Sequence, residues 1–145
     1  MYAKANHFQK LIDMKITTTT NNSSYDPDAF GPAFWFTLHN SAGTYPNKPT
    51  KVIQQSMKEL ITNLPLLVPC LTCKEHFYNF IKYSNLDIAT ANRENLFRYF
   101  VDVHNYVNKR VNKKTEMSLN DAKKIYGFDK PTGSSIRITY GPLIN

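Results

Sequence analysis

Cys70 and Cys73 are the only two cysteines of the chain, in the run Pro69-Cys70-Leu71-Thr72-Cys73. Such a pair can cycle between dithiol and disulfide, supply half of a metal site, or be incidental. A zinc site needs two further ligands. His76 stands three residues after Cys73, and His39 or His104 could complete the set, but no second CxxC exists. Two flanking patterns favour redox chemistry beside a flat aromatic cofactor. Upstream, Gly31, Trp35 and His39 recur at i, i+4 and i+8, one stripe of a helix. Glycine permits close approach, Trp offers a stacking surface, and His brings a hydrogen bond. Ordinary core packing is the competing explanation for that stripe. Downstream, His104 and Asn108 lie one turn apart, continued by Phe97 and Val101, with Asn105 and Val107 beside them. Asn is a poor helix former. Asn105, Asn108 and Asn112 on one helix therefore suggest amides reading the edge of a heterocycle, or a solvated face. Lys109, Arg110, Lys113 and Lys114 follow as candidate phosphate partners.

The elements that must position these residues read as helices. Asp28 is the expected cap of a first helix running to about Gly43, with Phe34, Trp35, Leu38, His39 and Ala42 on one face. Thr50 caps a second, whose apolar positions are Val52, Ile53, Met57, Leu60 and Ile61. Pro69 suits the first turn of a third that reaches about Tyr83. Cysteines in that first turn face unpaired N–H groups and the positive end of the helix dipole, which lower a thiol pKa. A fourth, the longest, covers residues 93–112. Ser118 and Asp121 resemble a capping box opening a fifth, which ends near Gly127. Strand alternation is scarce and no repeat is present. The expected fold is all-α, a four-helix bundle plus a short fifth helix. A thioredoxin-like domain is disfavoured, because helices rather than a strand flank the CxxC.

Residues 1–27 read as an N-terminal extension and linker, 28–127 as the folded domain, and 128–145 as a C-terminal tail. Within the extension, Phe8, Leu11 and Ile12 suggest a short amphipathic helix; within the tail, residues 136–140 suggest an extended segment. At 145 residues the chain suits one domain. The net charge of +7 comes without a nucleic-acid recognition motif, so a diphosphate-bearing cofactor accounts for it better than nucleic acid. Two cysteines cannot frame a disulfide-rich secreted protein, and the N-terminus lacks the pattern of a signal peptide. No stretch is apolar enough to span a bilayer. The expectation is a non-secreted, intracellular protein that is not membrane-bound.

Taken together these residues resemble the ERV/ALR family of FAD-linked sulfhydryl oxidases. The resemblance rests on Phe30-Gly31-Pro32-x-x-Trp35-x-x-Leu38-His39, Tyr45-Pro46, Leu64-Pro65, Pro69-Cys70-x-x-Cys73-x-x-x-Phe77, Asn92-Arg93, Leu96-Phe97 and His104-Asn105-x-Val107-Asn108, across residues 28–126. It implies FAD at the mouth of the bundle beside the CxxC. Gly31, Trp35, His39 and Tyr45 would contact it from the first helix and following turn; His104, Asn105, Val107 and Asn108 from the fourth; Lys113 and Tyr126 at the adenosine-diphosphate end. No metal is implied. It also implies that a thiol of a protein substrate, or of a separate thioredoxin-like shuttle, attacks Cys70. Cys73 would pass the electrons to flavin and on to dioxygen, giving hydrogen peroxide. A redox-silent adaptor of the same fold is the alternative. Many cellular members carry a further shuttle cysteine pair, and this chain has none, so it looks like the short forms of large cytoplasmic DNA viruses. The host cytoplasm or the virion is then the expected location. A homodimer through the first two helices is expected, with Phe34, Phe36, Val52 and Met57 as candidate contacts.

Overall fold

The computed structural model describes residues 26–113 and 116–129. All regular structure among them is helical: α1 (Pro27–Gly43), α2 (Lys51–Asn63), a 3₁₀ turn (Leu64–Leu67), α3 (Leu71–Lys82), the single turn α4 (Leu86–Ala89), α5 (Arg93–Arg110) and α6 (Leu119–Tyr126). The expected N-terminal amphipathic helix and extended tail lie outside the described residues.

Local chemistry sets each helix start. Asp26, not Asp28, caps α1: its carboxylate accepts from the Asp28 N–H, and Pro27 takes the first helical position, where a missing N–H costs nothing. Thr50 caps α2 through the Ile53 N–H. Asn92 caps α5 through the Asn95 N–H, and Ser118 caps α6 through the Asp121 N–H. The third helix begins after Cys70 rather than at Pro69. Cys70 keeps an extended backbone, and its sulfur accepts from the Cys73 N–H at 3.2 Å, so the cysteine itself is the cap. At the other ends, Asn112 (φ 57°) and Gly127 (φ 64°) adopt the left-handed conformation that closes α5 and α6.

Central α5 packs on α1, α3, α4 and α6. Its Leu96, Phe97, Phe100 and Val103 are fully buried, as are Phe77 of α3, Ile61 of α2 and His39 of α1, whose ring lies 5.6 Å from that of Phe97. Phe34 and Met57, considered as dimer contacts, are half-buried against this core, whereas Phe36 and Val52 are exposed.

Two polar clamps fasten α6 and its approach to α5. Arg93 donates from Nε to the Gly43 carbonyl at 2.6 Å and from Nη2 to the Phe128 carbonyl, with its guanidinium 4.0 Å from the Phe128 ring centroid. It thereby fastens the end of α1 and the end of α6 to the start of α5. Asn105 binds both backbone groups of Met117: its Nδ2 donates to the carbonyl at 2.8 Å and its Oδ1 accepts from the N–H at 2.9 Å. That pair of bonds fixes the approach to α6 against α5.

Candidate active site

The site is a cavity of about 240 Å³ between α1, α3, α5 and α6. One wall is aromatic: Phe34, Trp35 and Phe77, with ring centroids 5.5–6.1 Å apart, and Phe30 beside them. His104, Val107 and Asn108 of α5, Val111 just after it and Tyr126 of α6 complete the lining. Cys73 closes one side, and Lys113 stands on the rim with its ammonium paired to the Asp28 carboxylate.

Cys70 and Cys73 form a disulfide with Cα atoms 5.3 Å apart, and its two ends face different surroundings. Cys73 is 4% exposed and walls the cavity, one turn before Phe77. Cys70, the helix cap, is only partly buried and does not line the cavity. The bridge thus connects the interior of the site to the surface. Among the described residues no group of three or more His, Cys, Asp or Glu is placed to hold an ion.

Trp35 and His104 stack in parallel, with centroids 4.1 Å apart and planes 8° apart. Behind them His39 is fully buried, its Nε2 lying 3.1 Å from His104 Nδ1 and its ring 4.2 Å from that of Tyr126. Among the described residues His39 Nδ1 has no hydrogen-bond partner. A hydrogen there would be an unanswered buried N–H, which proteins avoid. The hydrogen therefore belongs on His39 Nε2 and is donated to His104 Nδ1, which leaves His104 with its own hydrogen at Nε2. Both rings are held neutral. Burial, then the neighbouring His104, lowers His39 to about 3. Burial, then the Lys113 charge, lowers His104 to about 4.

Gly31 tests what the cavity is for. A Cβ at this position would approach no closer than 3.9 Å to Trp35 Cδ1, an ordinary contact, so the protein's own packing does not demand glycine. Within a helix, glycine costs about 1 kcal/mol relative to alanine. What the missing side chain preserves is open space against the Trp35 wall. Flat aromatic walls, a glycine lining the cavity at position 31, neutral imidazole and amide groups and a rim cation fit a ring system attached to an anionic diphosphate, as in FAD.

Seven of the residues singled out in the sequence therefore converge on the cavity beside Cys73: Gly31, Trp35, His104, Val107, Asn108, Lys113 and Tyr126. His39 stands one layer behind, touching His104 rather than the cavity. Tyr45 and Asn105 are elsewhere. The Tyr45 hydroxyl donates to the Thr90 carbonyl at 3.0 Å, bracing the turn after α1 against the end of α4. The Asn105 amide is spent on Met117. The sequence reading missed Phe30, Phe34, Phe77 and Val111 as wall residues. Helical spacing carried the signal: Phe34 follows Phe30 by four, Phe77 follows Cys73 by four, and Val111 follows Val107 by four.

Comparison with known proteins agrees with this geometry. The profile of the Erv1/Alr family matches residues 32–127. Protein 096R of Invertebrate iridescent virus 3 is 40% identical over 90 residues, 62% of this chain and 61% of that protein, so the alignment spans about three fifths of that relative's length. The FAD-linked sulfhydryl oxidase of African swine fever virus is 34% identical over 98 residues, 67% of this chain and 79% of its own. Among solved structures, the FAD binding domain of Erv1 from Saccharomyces cerevisiae superposes with a TM-score of 0.63 at 29% identity, over 70% of this chain and 93% of that one. With the bundle, the cavity and the disulfide at its edge, the chain belongs to the Erv1/Alr family.

Proposed function

We propose that this chain is an FAD-dependent thiol oxidase that forms disulfide bonds in protein substrates through Cys70–Cys73. The carrying observation is the two-faced bridge, with Cys73 buried in the wall of the cavity and Cys70 outside that wall and only partly buried. A substrate thiolate attacks Cys70 Sγ, the Cys70–Cys73 bond breaks, and Cys73 leaves as a thiolate. A second substrate thiolate attacks the substrate sulfur of the mixed disulfide and releases Cys70. Two substrate thiols have then lost two electrons to the Cys70/Cys73 dithiol. The cap position helps: the Cys73 N–H already points at Cys70 Sγ, and the start of α3 favours negative charge on either sulfur. Bound FAD would supply the two-electron acceptor that returns the dithiol to the disulfide, with dioxygen as terminal acceptor and hydrogen peroxide as product. Trp35, Phe34 and Phe77 would hold its rings, His104, Asn108 and Tyr126 its polar edges, and Lys113 its phosphates. Tyr45, Asn105 and His39 keep that frame in place.

Purified protein should be yellow and consume oxygen when given dithiothreitol. Cys73→Ser should retain flavin and lose turnover, and Cys70→Ser should lose thiol oxidation as well. Colourless protein, flavin-loaded protein that leaves the dithiol unoxidised, or wild-type turnover in either variant would overturn the assignment.

A further inference from the structure

Exposed leucines flank the partly buried Cys70 and form an apolar rim. Leu66 and Leu67 of the 3₁₀ turn and Leu71, the first residue of α3, are 45%, 68% and 50% exposed. The 3₁₀ turn packs against α3, so the three leucines share one end of the bundle with Cys70. The whole stretch 60–73 holds no Asp, Glu, Lys or Arg, although the chain carries 29 charged side chains, 18 basic and 11 acidic. Exposed leucine is costly in water, and no core position accounts for these three.

We propose that this apolar rim is a docking surface for cysteines carried on apolar segments of a protein substrate. The proposal rests on the oxidase reading, because exchange at Cys70 requires a partner sulfur to reach this end of the bundle. The rim, continuous with the attacked sulfur, is what that partner must cover. A second copy of the chain seated permanently here would close off the sulfur that exchange needs. The exposed Phe36 and Val52 belong to α1 and α2, not to this rim. The substrate thiolate bonds to Cys70 Sγ while the Cys70–Cys73 pair of electrons departs on Cys73. Leucines beside that path select by what flanks the incoming cysteine. Selection by burial rather than by charge is not weakened by salt screening.

The test uses the full chain with bound flavin and three substrates: dithiothreitol, a dithiol peptide with leucine and phenylalanine beside its cysteines, and the same peptide with serine and glycine there. The expected kcat/KM favours the apolar peptide on the order of tenfold, the discrimination that a few methylenes provide in an apolar pocket. High salt leaves that ratio unchanged, and Leu67→Ser with Leu71→Ser brings it close to one. Equal rates for the two peptides in the parent protein overturn the proposal. So does a preference that survives the paired substitution, or one that disappears in high salt. A paired variant that changes oligomeric state in sedimentation assigns the rim to a second copy and likewise overturns it. Failure to oxidise dithiothreitol at all defeats the oxidase reading instead, which separates the two failures.

Discussion

At Gly31 the interests of the fold and of the site oppose each other. The helix would gain up to about 1 kcal/mol from alanine, and the nearest side-chain atom, 3.9 Å away, would accept it. Gly31→Leu should therefore leave a folded bundle while cutting flavin content at least several-fold, read as the ratio of flavin to protein absorbance, with thermal unfolding as the control. A variant that keeps full flavin would remove Gly31 from the cofactor's surroundings. Asn105 and Asn108 of α5 and Asn112 just beyond it show how one residue type serves three ends: Asn105 binds Met117, Asn108 lines the cavity, and Asn112 takes the left-handed turn that stops the helix. The shared sequence signal, poor helix formers on a good helix, held no information on which was which. Only the loop brought back to α5 twelve residues later separates Asn105 from its neighbours.

At the scale of elements, the site depends on α6 being held against α5, since Tyr126 comes from one and His104 from the other. Asn105→Ala would strip both backbone groups of Met117 of their partner, at a cost on the order of 2 kcal/mol. Thermal unfolding should register that loss. Asn105→Asp, which keeps the acceptor for the Met117 N–H and loses the donor, should fall between. An unchanged midpoint in Asn105→Ala would show that the clamp contributes nothing. The main helices and most of their ends were legible because their signals are local: Thr50 and Ser118 beside free N–H groups, Gly127 at a left-handed stop. The start of α1 was placed two residues late because Asp26 and Asp28 are equally good caps in isolation, and Pro27 decides between them. The start of α3 was misread for a related reason, since a cysteine is not an expected cap. The single turn α4 is too short for periodicity to reveal. Likewise, nothing local distinguishes Tyr45 as a brace from Tyr45 as a wall; its partner, Thr90, is 45 residues away.

For the whole molecule, the two buried imidazoles tie folding to pH. In the unfolded chain each takes up a proton near 6.5, whereas in the fold His39 and His104 stay neutral down to about 3 and 4. Because their folded pKa values are depressed, the unfolded state binds more protons below 6.5. Their contribution to stability is complete above that value and is lost as pH falls towards 4. Near pH 5 the slope should approach about 1.4 kcal/mol per pH unit for each proton taken up on unfolding. Denaturant titrations at fixed flavin from pH 8 to pH 4.5 should show a plateau and then this decline, and His39→Phe should roughly halve the slope. A flat profile would mean that the rings are not both neutral in the fold. The single bridge has a further consequence for how the chain matures. Two cysteines permit only one intramolecular pairing. In the oxidase proposed above, these two cysteines leave no scrambled intramolecular pairing in which the bridge could be trapped.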